Sequence, residues 1–196
     1  MAEDLKAILF APNQMSHQYL RAIIGFTTAV IHTQSVDDVL WLLTDDIIVD
    51  LGFEDCVVYL LDETRGVLVQ KAAYGPKKAG PSEIHEPIEV PLGEGITGRC
   101  AVEQHPILIN DVSKDPSYIV DDAARKSELA VPIISRGKLI GVIDSENSEP
   151  NFYTDQHLST LRALSAIITT KYESASALRD LKESESRLRH LANHDS

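Results

Sequence analysis

Glu128-Leu-Ala-Val-Pro-Ile-Ile-Ser135 and Lys138-Leu-Ile-Gly-Val-Ile-Asp-Ser-Glu146, joined across Arg136-Gly137, decide the fold. Both runs are apolar and rich in β-branched residues, and the Arg-Gly step suits a tight turn, so they read as an antiparallel hairpin. The two-residue period of a strand puts Leu129, Val131 and Ile133 on one face, with Glu128, Ala130 and Pro132 opposite. In the second strand Ile140, Val142, Asp144 and Glu146 share a face, with Leu139, Gly141 and Ile143 opposite. The apolar faces are expected to meet helices, which leaves Glu128, Asp144 and Glu146 together on the other side. Three carboxylates there repel one another unless a cation or donor-rich group compensates, and a ligand carrying an amine or guanidinium would do so. The competing reading has them capping loop amides or facing water.

Outward from this hairpin the pattern repeats. Cys56–Leu61 is a short buried strand, Asp62-Glu-Thr-Arg-Gly66 a turn, and Val67–Ala73 the returning strand. Upstream, Met15–Ile31 has helical spacing. Ser35 reads as an N-cap with Asp38 in the capping-box position, opening a helix whose stripe is Val36, Val39, Leu40, Leu43, Ile47, Ile48 and Leu51. Gly52 ends it. Between the hairpins lie a loop at 75–87, a short strand Ile88–Leu92, a short helix running from the glycines around Ile96-Thr97 to Gln104, a strand Pro106–Asn110 and a polar excursion over 111–125. One long helix begins near Thr154. The order predicts an α+β fold with a central antiparallel sheet of five to six strands. Terminal helices would cover one face, and loops and short helices would lie over a pocket on the other. The domains read as a loose arm at 1–13, a globular domain at 14–172, and a signalling helix at 173–196.

Composition narrows the function classes. Net charge is −12, and residues 171–196 are neutral with five basic and five acidic residues, so the body carries the whole excess. Such a body repels nucleic acid and anionic lipid. No apolar run approaches the ~20 residues that span a bilayer, and the Met-Ala-Glu-Asp start lacks a signal peptide's basic region, so a cytoplasmic location is expected. Cys56 and Cys100 form no disulfide framework or CxxC pair, and the seven histidines show no ligand spacing, so no metal or cofactor is expected. Gly93, Gly95 and Gly98 match G-x-G-x-x-G but follow only a short strand with no βαβ unit, so they read as a tight strand-to-helix turn rather than a dinucleotide loop.

Leu92-Gly-Glu-Gly-Ile-Thr-Gly98, Pro106-Ile-Leu-Ile-Asn-Asp111, Glu128-Leu-Ala-Val-Pro-Ile133, Lys138-Leu-Ile-Gly-Val-Ile-Asp-Ser145 and Phe152-Tyr-Thr-Asp155 resemble, in order and spacing, the GAF domain across about residues 20–172. The resemblance implies a bacterial small-molecule sensor and dimerisation module with a pocket on the sheet face away from the terminal helices. Leu188-Arg-His-Leu-Ala-Asn-His-Asp-Ser196 resembles the lead into a GGDEF domain, which implies a diguanylate cyclase parent and cyclic di-GMP signalling. The chain is also similar to the free methionine sulfoxide reductases, a GAF branch in which acidic ligand contacts stand where Glu128, Asp144 and Glu146 stand here. The branch's reactive cysteines correspond to Thr97 and Asp121. Without a thiolate there is no nucleophile for sulfoxide reduction, so a ligand pocket without catalysis is expected. Tyr118 is expected as its lid.

For output, Leu161, Leu164 and Ile168 follow 3-4 spacing and Leu178, Leu181 and Leu188 continue an apolar seam in a shifted phase. These six are expected to pair two copies as a parallel coiled-coil homodimer. The leading reading is therefore a ligand-responsive regulatory domain. A purely structural dimerisation domain and a small redox enzyme are its rivals.

Overall fold

The computed structural model describes residues 17–121 and 123–194, with side chains as far as Arg187. The expected arm at 1–13 lies outside them. Six antiparallel strands form the central sheet: β1 (Cys56–Asp62), β2 (Val67–Tyr74), β5 (Glu89–Pro91), β6 (Ile107–Ile109), β7 (Ser127–Ser135) and β8 (Lys138–Asn147), in the order β5-β2-β1-β8-β7-β6. A separate two-stranded ribbon, β3 (Lys78–Gly80) with β4 (Glu83–Ile84), occupies the segment that the sequence suggested was loop. Its prolines lie outside the pairing, so the residues between them are free to pair.

One face of the sheet carries α1 (His17–Val30), α2 (Val36–Leu42), α3 (Ile48–Leu51) and α5 (Asp155–His194). The capping box forms: the Ser35 hydroxyl accepts from the Asp38 amide, and the Asp38 carboxylate accepts from the Ser35 amide. A π-helical turn over Leu43–Ile47 joins α2 to α3 and keeps Leu43, Ile47, Ile48 and Leu51 facing the core. The other face carries α4 (Gly95–Glu103) and a strap made of residues 111–121 and 123–126.

Pairing of β7 with β8 corrects one face assignment. Ile133 lies opposite Gly141 and Ile134 opposite Leu139, so Ile140 is skipped by a bulge. An extra residue inverts the alternation beyond it. Ile140 therefore packs with the helices and Leu139 with the pocket side, the reverse of the simple period. Toward Asp144 and Glu146 the period is undisturbed.

α5 explains the exposed edge of β7. Beyond Ala130 no described strand covers the β6 side of β7, and hydroxyls of α5 satisfy its carbonyls instead: Ser165 Oγ donates to Pro132 O at 2.8 Å and Thr169 Oγ1 to Ile134 O at 3.3 Å. Pro132 has no N–H to lose at such an edge. Leu161, Leu164 and Ile168 are fully buried against their own sheet, each worth about 1.5–3 kcal/mol of burial. This corrects the expected seam: these three are core residues of the domain, because helical 3-4 spacing marks any apolar stripe whatever covers it. Leu178 and Leu181 are exposed by 53% and 56%, and the side chain of Leu188 lies outside the described residues. No described helix is long and apolar enough to cross a membrane.

Candidate functional site

The site is built where α4 and the strap cross the second face of the sheet. α4 begins hard against β5. A Cβ on Gly98 would stand 2.5 Å from Pro91 O, and the Gly93 amide donates to Gly98 O at 2.9 Å. The glycines thus permit a close strand-to-helix contact, and Thr97 on the first turn of α4 faces the sheet. The resulting pocket is a small cavity of about 40 Å³ that opens to solvent. Glu128, Asp144 and Glu146 all line it, with Thr97, Lys77 and Asp121. Strand register brings the acids together: Glu128 lies opposite Glu146, and Asp144 opposite Ala130.

All three carboxyls are buried, at 4–7% exposure. That excludes the reading in which they face water. Burial, reinforced by the charges of Asp144 and Glu146, pushes Glu128 well above the carboxylate range. Burial also raises Asp144 to about 7, against hydrogen bonds from Glu128 and Thr97 that hold it lower. Glu146 is pushed up to about 9 by burial first and then by Asp144 and Asp55, while the Tyr118 hydroxyl and Arg125 oppose the shift. At neutral pH Glu146 therefore holds its proton, and Asp144 is divided between its protonated and ionised forms. Asp144 Oδ1 and Glu146 Oε1 are buried with no hydrogen-bond partner among the described residues. Such a set offers O–H donors and a carboxylate acceptor at once. It can meet a small ligand that carries both a strong acceptor oxygen and a cationic donor.

Tyr118 belongs to the strap and is half-buried. Its hydroxyl accepts from the Arg125 amide at 2.9 Å and bonds Glu146, so it ties the strap to the carboxyl cluster.

A second polar network was not legible in the sequence. Lys77, 5% exposed, reaches Asp121 Oδ1 at 2.6 Å and the carbonyls of Glu86 and His85 at 3.0 and 3.5 Å. Gln70 Nε2 donates to Asp121 Oδ2 at 2.9 Å and to the Tyr59 hydroxyl at 3.0 Å, and Gln70 Oε1 accepts from the Ile88 amide. Lys77 and Lys78 are neighbours in a Pro/Gly-rich stretch, and nothing local separates the buried one from Lys78, which pairs with Asp45. Gln70, a lone amide among strand apolars, was the available signal.

Neither thiol lines the pocket. Cys100, one helical turn after Thr97, donates to His105 O at 3.3 Å and is pushed up to about 12 by burial, then by Asp144 and Glu103. Cys56 is also raised well above the usual thiol range, chiefly by complete burial.

Comparison with known proteins places this geometry. The model of the GAF domain family matches residues 33–170. Among curated proteins, the free methionine-R-sulfoxide reductase of Escherichia coli (strain K12) is 30% identical over 91 residues, 44% of this chain and 55% of that protein. The chain spans about half or less of the length of the curated relatives it matches. Among solved structures, the free methionine-R-sulfoxide reductase of Neisseria meningitidis in complex with its substrate has a TM-score of 0.74 at 20% identity, covering 85% of this chain and 96% of that one. The GAF domain of an Acinetobacter phosphoenolpyruvate-protein phosphotransferase has a TM-score of 0.72 at 24% identity, covering 83% and 97%. At these identities the structures speak for the fold. The expectation that the chain is no enzyme is overturned here: that expectation rested on Thr97 and Asp121 at the thiol positions, yet enzymes stand among both its sequence relatives and its fold neighbours.

Proposed function

The chain belongs to the GAF domain family, and we propose that it binds a free amino acid of the methionine sulfoxide class in the pocket between α4, the strap and the sheet. The observation that carries this is the buried carboxyl set with two unpartnered oxygens, Asp144 Oδ1 and Glu146 Oε1. A sulfoxide oxygen is a strong acceptor for a protonated carboxyl, and an ammonium group is the natural partner of an ionised one. The bond from the ammonium is charge-assisted and contributes about 1.5–3 kcal/mol, and the neutral bond to the sulfoxide about 0.5–1.5 kcal/mol. The relatives named for free methionine-R-sulfoxide support the choice within that chemistry.

Titration calorimetry with L-methionine S-oxide tests the reading. Saturable binding at one site per chain is expected, with L-methionine binding more weakly because it lacks the acceptor oxygen. Equal affinity for the two, or none for either, counts against it. Turnover is a second reading of the same pocket, favoured by the reductases among the relatives. Consumption of the S-oxide with a thiol reductant, lost in Cys100→Ser, would establish it; no consumption would refute it.

The regulatory reading, in which α5 conveys ligand state to a second copy, is supported by the exposed Leu178 and Leu181. Sedimentation at micromolar concentration should show a dimer that dissociates on replacing both with Glu. A monomeric wild-type chain would end that reading.

A further inference from the structure

Lys77 is a buried cation whose surroundings are half fixed and half exchangeable. Its ammonium has three donors. Two meet carbonyls, of Glu86 at 3.0 Å and His85 at 3.5 Å, and the third meets the carboxylate of Asp121 at 2.6 Å. Carbonyls are neutral, so among these contacts the counter-ion is Asp121 alone. Asp121 stands on the strap, whose neighbouring residues Ile119 and Val120 are 47% and 53% exposed. Lys77 and Gln70 both grip Asp121 and tie this exposed stretch to the sheet side of the pocket.

Lys77 and Asp121 line the same pocket as Glu128, Asp144 and Glu146. The negative charge of Asp121 is felt at Asp144, where it helps raise the pKa, so the two carboxyls are near neighbours. The pocket thus presents an ammonium beside a carboxyl cluster. An α-amino acid needs that juxtaposition, because its ammonium and carboxylate sit on one carbon.

We infer that Lys77 is the receptor for the ligand's carboxylate, and that Asp121 holds that place in the empty pocket until a carboxylate-bearing ligand displaces it. The inference rests on the amino-acid reading above and adds a residue that selects for the acid group. Exchange conserves the hydrogen bonds of Lys77, since one carboxylate replaces another. It also frees Asp121, so the same step that recognises the ligand removes one of the strap's polar ties to the pocket. A ligand with the ammonium but no acid group leaves the Lys77–Asp121 pair intact and gains nothing from it.

Two probes separate the parts: L-methionine S-oxide, and its methyl ester, which keeps the ammonium and the sulfoxide but not the carboxylate charge. Asp121→Asn removes the competing anion at nearly constant shape. It is expected to tighten binding of the acid about tenfold, because a charge-assisted bond forms without a rival. The ester should bind no more tightly, since losing a nearby negative charge cannot help a cation. In the double variant Lys77→Met with Asp121→Asn, which leaves no unpaired charge from this pair, the acid should lose its advantage over the ester. The inference is overturned if Asp121→Asn leaves acid affinity unchanged, if acid and ester shift alike, or if the double variant still prefers the acid. Binding of the acid with any of these results defeats this inference alone. Binding of neither probe by any of the three proteins defeats the amino-acid reading and this inference together.

Discussion

Gly141→Val is expected to destabilise the fold by about 3 kcal/mol or more, at the upper end of what overpacking costs. Gly141 lies in β8, in the middle of the sheet, paired with Leu60 on one side and Ile133 on the other. A Cβ there would overlap the Tyr59 carbonyl oxygen and stand 3.1 Å from Leu60 Cδ2. The first contact is with backbone in a neighbouring central strand, so no rotamer change relieves it, and β1 and β8 would have to separate. Urea denaturation gives the midpoint shift. Gly25→Ala is the control: a Cβ at that α1 position meets nothing within 4 Å, and the change should be neutral or stabilising by up to about 1 kcal/mol. A wild-type midpoint for Gly141→Val would show that the β1–β8 pairing is not as described.

Stability should fall as pH rises from 5 to 9. In an unfolded chain Asp and Glu lose their protons near pH 4. In the fold Asp144 keeps its proton to about pH 7 and Glu146 to about pH 9, with Glu128 raised well above the usual range, chiefly through burial. Across that window the folded state holds more protons than the unfolded state, so stability declines with rising pH and levels off once the folded groups have ionised. The loss is on the order of a few kcal/mol, spread over the coupled cluster. Asp111 and Asp115, lowered to about 2 chiefly by hydrogen bonds from Lys114 and Arg99, act in the opposite sense, but their contribution is complete above about pH 4. His157, lowered by burial, adds stability as pH rises through its unfolded value near 6.5 and so blunts the acid end of the slope. Thermal melts in one buffer series at constant ionic strength measure the trend. A melting temperature that is flat or rising from pH 7 to 9 would mean that the carboxyls are not held protonated.

Much of this was legible in the chain. Period-two patterning placed the carboxyls on one face because the register is undisturbed from Ser127 to Ile133. It misplaced Leu139 and Ile140 because a bulge carries no residue signature when the extra residue is as apolar as its neighbours. Ser35 and Asp38 announced the start of α2 because capping is a local interaction. The seam on α5 failed at Leu161, Leu164 and Ile168 because spacing reports an apolar stripe, and only the tertiary structure says that the stripe lies against β7. Lys77 was invisible for a related reason: what buries it is the strap, and its partner Asp121 is 44 residues away. The thiol argument also reached too far. Thr97 and Asp121 do line the pocket, but a missing side chain at two positions is not a property of the whole protein.

The carboxyls link binding to stability, and that link gives the sharpest test. Buried acids with unpartnered oxygens are poor for the empty fold and useful only to a ligand. The measurement is the affinity of Asp144→Asn with Glu146→Gln for L-methionine S-oxide by calorimetry at pH 8, beside the melting temperature of the same sample without ligand. Binding is expected to weaken by at least about tenfold, since the ligand's ammonium loses its charged partner at Asp144, while the melting temperature rises. Unchanged affinity in a variant that is folded would contradict it.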